Sequence, residues 1–159
     1  MERYLVAMVV IASCQLAGIN GIFYYAKQLF LDITGGDKLL SQKLMLGLAF
    51  CQLVSATISG RFIDLFGRKY LLVRGQRILI VLLMLIFVVD NLEGYLYSMG
   101  SAHLLIIVLL YLHIIAFNFS LGPVCIIYAA ELVPNFTPII ITLRSFTFLV
   151  ALSTNYLIH

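Results

Sequence analysis

Two carboxamides, Gln15 and Asn20, stand five residues apart in an otherwise apolar run, with Gly18 between them. A side-chain amide offers donors and acceptors without charge. In hydrocarbon it must bond to a neighbouring helix or to something polar in a pathway. Gln52, Asn118 and Asn155 raise the same question, each within its own apolar run. One such residue has a plain explanation, an interhelical hydrogen bond averaging about 0.6 kcal/mol. Five of them spread over four runs point together to a polar, uncharged substrate. On an ideal helix of 3.6 residues per turn Gln15 and Asn20 lie about 140° apart. They share one cavity only if the helix bends or unwinds near Gly18. A second break is expected at Gly122-Pro123, because Pro123 lacks a backbone donor and clashes with the preceding turn. Discontinuous helices of this kind line substrate sites in secondary transporters, whereas Gly21 is explained by close helix packing.

The elements that must hold these residues follow from composition. The 159 residues are 63% hydrophobic and 11% charged, with a mean hydropathy of +1.09. Soluble domains average roughly 45–50% apolar and about 25% charged residues, so an all-α, polytopic transmembrane bundle is expected. A net charge of +3 concentrated in one short loop does not suit nucleic acid. Cys14, Cys51 and Cys125 all lie in apolar runs, without disulfide or metal-ligand spacing. His103 and His113 lack nearby carboxylates and read as interfacial or packed imidazoles. No HExxH or GxSxG occurs. No enzyme and no cofactor is therefore expected. The first apolar stretch is too long for the core of a cleaved signal peptide.

A spanning helix needs about 20 mainly apolar residues, which gives five spans at roughly 4–25, 44–63, 70–89, 104–132 and 139–158. The third carries Arg74 and Arg77 in its early turns, where long cations can reach the headgroups. Arg61, Arg68, Lys69, Arg74 and Arg77 crowd between the second and third spans against Asp64 alone, while the loop after the third span holds Asp90 and Glu93. The positive-inside rule then makes the 61–77 loop and the amino terminus cytoplasmic. The sequon Asn135-Phe136-Thr137 falls on the cytoplasmic side, and Asn118-Phe119-Ser120 lies within a span. An odd number of spans ending abruptly reads as an incomplete bundle.

Three stretches carry a resemblance. "QLAGINGIFYYA" (15–26) resembles the seventh transmembrane helix of the sugar porter family, the facilitative glucose transporters and their relatives in the major facilitator superfamily. "GRFIDLFGRK" (60–69) is similar to that family's cytoplasmic loop between helices eight and nine. "GPVCIIYAAELVP" (122–134) is similar to its helix ten, and Asn155 falls near an asparagine of helix eleven. The resemblance implies a partial carboxyl-terminal bundle, helices seven to eleven of twelve, needing the missing amino-terminal half or a partner chain. It implies sugar-binding roles for Gln15, Asn20 and Gln52, beside the amides Asn118 and Asn155. Tyr24 and Tyr25 would help to close an outer gate. Asp64, Arg68, Glu131 and Arg144 would form a cytoplasmic ion-pair network. Departures are also visible: Cys14 replaces the first of a glutamine pair, Ala17 a Ser or Thr, Cys125 a proline and Ile126 a tryptophan. The implied function is hexose transport by alternating access in the plasma membrane. The alternative is a non-transporting membrane partner or sugar sensor derived from such a carrier.

Overall fold

A computed structural model describes residues 2–91, 102–135 and 137–158. Seven helices account for nearly all of them: α1 (Glu2–Leu16), α2 (Ile19–Ile33), α3 (Lys38–Phe66), α4 (Arg68–Asn91), α5 (Ala102–Ser120), α6 (Gly122–Leu132) and α7 (Thr137–Ile158). Among the described residues, Glu2–Ile33, Lys38–Phe66, Arg68–Asn91 and His103–Leu132 are long and apolar enough to cross a membrane, and Thr137–Val150 is a shorter apolar stretch. The expected first and fourth spans are thus each built from two helices, α1–α2 and α5–α6, broken at Gly18 and Leu121.

The connections are tighter than the charge pattern alone implies. Asp37 caps α3, its carboxylate accepting from the backbone N–H of Leu39 at 2.9 Å. Between α3 and α4 the expected loop shrinks to Gly67, whose φ of 79° is open to glycine at little cost. Its N–H still bonds back to the Ile63 carbonyl at 3.0 Å. The basic residues expected in a loop therefore lie on helices, Arg61 on α3 and the others on the first turns of α4.

The α5–α6 span is the centre of the bundle. α5 packs on α2, α3 and α4, and α6 on α1, α3 and α4, while α7 closes against α1 and α2. Ile11, Phe30, Leu48, Leu79, Leu110 and Ile114 are fully or almost fully buried along these seams. Two seams are set by glycine. A Cβ on Gly75 of α4 would lie 2.0 Å from the Ser120 Cβ, so these backbones meet only because Gly75 has no side chain. A Cβ on Gly47 would lie 2.6 Å from the Tyr111 hydroxyl, which donates across the α3–α5 seam to the Leu44 carbonyl at 3.0 Å. Outward faces are apolar too: Phe50 and Leu53 on α3, and Ile80, Met84 and Phe87 on α4, are exposed. A helix that is hydrophobic all round, with its outward face uncovered, is suited to lipid.

Candidate functional site

The first span breaks where its two amides sit. Gly18 has φ 79° and ψ 12°, the left-handed region, which costs other residues roughly 1–2 kcal/mol. α1 ends by bonding the Gly18 N–H to the Gln15 carbonyl at 3.2 Å, and α2 restarts with the Ile22 N–H on the Gly18 carbonyl at 2.9 Å. The rotation between the two helices cancels the separation expected on a continuous one. The Asn20 Nδ2 donates to the Gln15 Oε1 at 3.1 Å. Gln15 is buried and Asn20 half-buried, so a polar pair is held at the interruption of an apolar span. Sequence reasoning required this bend; the geometry supplies it.

The second break lies beside the first. Leu121 interrupts the fourth span for one residue, and Pro123 falls in the opening turn of α6, where a missing N–H costs nothing. The span is interrupted without unwinding: Leu121 keeps a right-handed helical backbone and the Cys125 N–H bonds back to its carbonyl at 3.0 Å. That same carbonyl accepts from the Cys14 thiol at 3.9 Å, and the Cys14 and Cys125 side chains also meet. The two residues that replace a glutamine and a proline of the sugar porter pattern thus contact each other across the α1–α6 seam. Of the two readings expected for His113, interfacial or packed, the structure shows the packed one. His113 of α5 is fully buried beside the Ala17 backbone at the first break, and neither ring nitrogen reaches hydrogen-bonding geometry. A fully apolar flank gives a sequence reader no sign of this placement.

The remaining amides are not gathered around Gln15 and Asn20 by hydrogen bonds. Asn118 is buried, but its Nδ2 donates within its own helix to the Ile114 carbonyl at 2.9 Å. Gln52 is half-buried on α3. Asn155 belongs to α7, and its side chain lies outside the described residues. Ile126 points outward from α6.

At one end of the bundle Arg68 and Glu131 form an ion pair, Nη2 to Oε1 at 2.7 Å. Arg68 opens α4 and Glu131 lies in the last turn of α6, so each charge opposes the dipole of its own helix and the two cancel. Both side chains are nearly half exposed (47% and 46%), which keeps the pair weak in energy. It is the only ion pair among the described residues. Asp64 and Arg144, expected in the same network, are exposed and outside it. At the opposite end the Tyr25 hydroxyl donates to the Asp90 carboxylate at 2.6 Å, tying α2 to α4. Tyr24 beside it is exposed. Gln28, Asp32, Asp90 and His103 join Tyr25 around a cavity of about 330 Å³. The Tyr25–Asp90 bond spans 65 residues of sequence, and Asp90 had only the look of a loop charge. Among the described residues no three His, Cys, Asp or Glu side chains gather to hold a metal.

Long apolar helices with outward apolar faces define an integral, multi-pass membrane protein, here with two adjoining helix breaks and a polar pair at one of them. The sequence comparisons agree in detail. The family model described as sugar (and other) transporter matches residues 1–159. The chain is 32% identical over 127 residues to the glucose facilitated diffusion protein of Zymomonas mobilis, covering 79% of this chain and 25% of that protein. It is 29% identical over 125 residues to the glucose transport protein of a Synechocystis strain, covering 76% and 26%. No solved structure shows a significant match. The chain belongs to the sugar transporter family, and it spans about a quarter of the length of these curated relatives.

Proposed function

We propose that this chain is part of the carboxyl-terminal half of a hexose transporter, equivalent to helices seven to eleven, working by alternating access in the plasma membrane with its amino terminus and the α3–α4 turn in the cytoplasm. The observation that carries the reading is the Asn20–Gln15 hydrogen bond at the Gly18 break. A hydroxyl can take the place of either partner in that bond, so a sugar exchanges one polar contact for another instead of leaving a buried amide unpaired. Curated relatives whose names specify glucose support the choice of sugar.

In this reading Gln15 and Asn20 bind sugar hydroxyls, with Gln52, Asn118 and Asn155 on the neighbouring spans. Tyr24 and Tyr25 serve the outer gate, where the Tyr25–Asp90 bond is a clasp that can open. Arg68–Glu131, with Asp64 and Arg144 as further charges in other states, serves the inner one. Exposed pairs of this kind break and re-form at little net cost, which suits a two-state latch. Alternating access needs a second bundle for this one to rock against, so the other half of the carrier, or a partner chain, completes the transport pathway, while the amide face of this bundle is enough to bind the sugar.

Proteoliposomes holding this chain alone should therefore bind labelled glucose saturably but not accumulate it, and Asn20→Ala should abolish the binding. Accumulation by the chain alone would refute the need for a second bundle. Binding that survives Asn20→Ala would refute the site.

A further inference from the structure

An aromatic and basic hollow at the α3–α4 turn lies apart from the amide pair, touching the sugar-binding and gate residues proposed above only at Arg68. Phe62 and Phe66 of α3, Tyr70 of α4 and Phe119 of α5 wall an apolar groove of about 330 Å³ that runs between the three helices to Ile78 and Ser120. The rings support one another: Phe62 meets Phe119 edge-on with centroids 4.8 Å apart, and Phe66 stacks on Tyr70 at 6.0 Å. Arg74 lines the groove, its guanidinium 5.1 Å from the centre of the Tyr70 ring. A shallower hollow adjoins it at the start of α4, sharing Phe66, Tyr70 and Arg74 and adding Arg68 and Lys69. From Arg68 to Ile78 the helix rises about 15 Å at 1.5 Å per residue. That distance carries the groove from a helix end well into an apolar span.

Charge is arranged along this path in one sense only. No Asp or Glu lines either hollow. Arg68 is answered by Glu131, but Lys69 and Arg74 make no ion pair with any described residue. A cation in the first turn of a helix is disfavoured by the helix dipole, so Lys69 calls for an anion from outside. The two hollows thus set cations beside aromatic walls and open apolar surface, the combination that a phospholipid with a negative headgroup matches. Basic pockets between spans are known to take such headgroups.

We propose that this groove is a binding site for one anionic phospholipid, with the phosphate in the shallower hollow beside Arg74, Lys69 adding charge at that hollow's rim, and an acyl chain between Phe62, Phe66, Tyr70 and Phe119. The site is separate from Gln15 and Asn20, and it stands even if the sugar reading fails.

Native mass spectrometry of the full chain, released from detergent with equal amounts of phosphatidylglycerol and phosphatidylcholine, tests it. Each cation near a lipid surface contributes about fivefold, so retained phosphatidylglycerol should exceed phosphatidylcholine by fivefold or more. The preference should fall to near parity in Lys69→Gln/Arg74→Gln and persist in Arg3→Gln, whose exposed cation lies on α1. Inorganic phosphate in large excess should not displace the lipid, because it cannot fill the apolar groove. A phosphatidylglycerol with a photoreactive acyl chain should label Phe119 or Ile78 in the wild-type chain, a readout independent of any variant's folding. Equal retention of the two lipids, displacement by free phosphate, labelling spread over all helices, or a groove filled by a second copy of the chain would each overturn the proposal.

Discussion

Gly18 and Gly60 provide a matched pair of substitutions. A Cβ added at either glycine meets no atom within 4 Å, so neither Ala variant adds a clash. They differ in backbone: Gly18 has φ 79°, whereas Gly60 lies inside the regular helix α3. At Gly18 an alanine must adopt the left-handed region, costing roughly 1–2 kcal/mol. It also favours the competing continuous helix by up to about 1 kcal/mol. The balance between broken and continuous forms then shifts by about 1–3 kcal/mol, roughly 5- to 150-fold. In the continuous form Gln15 and Asn20 return to about 140° apart and their hydrogen bond is lost. At Gly60 the same change removes only the entropic cost of glycine in a helix and stabilises by about 0.5–1 kcal/mol. Reversible unfolding of each variant in mixed micelles, titrated with a denaturing detergent, measures both. Gly18→Ala should lower stability and Gly60→Ala should raise it. If both raise it, Gly18 is not held in a left-handed break, and the geometry that unites the amides is wrong.

Gly75→Ala should cost about 1–3 kcal/mol by overpacking the α4–α5 seam, and adding Ser120→Gly should recover most of it in the same unfolding assay. His113→Leu should raise the melting temperature, since it removes two buried ring nitrogens with no partner, worth about 1–3 kcal/mol; a fall would mean that the imidazole is bonded. Glu131→Gln should lower stability by no more than about 1 kcal/mol, and the difference should vanish in concentrated salt.

How far the sequence anticipates this structure varies with the kind of interaction. Gln15, Gly18 and Asn20 announce a bend, because only a residue free to take a positive φ can turn one amide toward the other. The fold class and four of the five expected spans follow from apolar run length, while the fifth, expected at 139–158, has only the shorter apolar stretch Thr137–Val150 among the described residues. At the fourth span the proline marks the right place within two residues, yet the interruption falls at Leu121. Pro123 is accommodated in the opening turn of α6, so the span need not unwind. Arg68 and Glu131 are readable as charges at the wrong ends of their helices, whereas Asp64, equally misplaced, has no ion-pair partner. Which of several cations meets which anion depends on helix rotation and packing, and short-range pattern does not encode it. The Tyr25–Asp90 bond and the Gly75–Ser120 contact escape a linear reading for the same reason. Each joins residues at least 45 positions apart, on faces chosen only when the bundle assembles.

The central claim is that the amide pair at the Gly18 break receives a sugar, and equilibrium binding of labelled D-glucose to the chain in lipid nanodiscs tests it most directly. Gln15→Leu removes one hydrogen-bonding group, worth about 0.5–1.5 kcal/mol or roughly two- to twelvefold in affinity. Binding of D-glucose should be saturable, weakened to that extent by Gln15→Leu, lost in Asn20→Ala and unchanged by Lys43→Gln, an exposed cation on α3. Equal binding by the wild-type chain and both amide variants would contradict that claim.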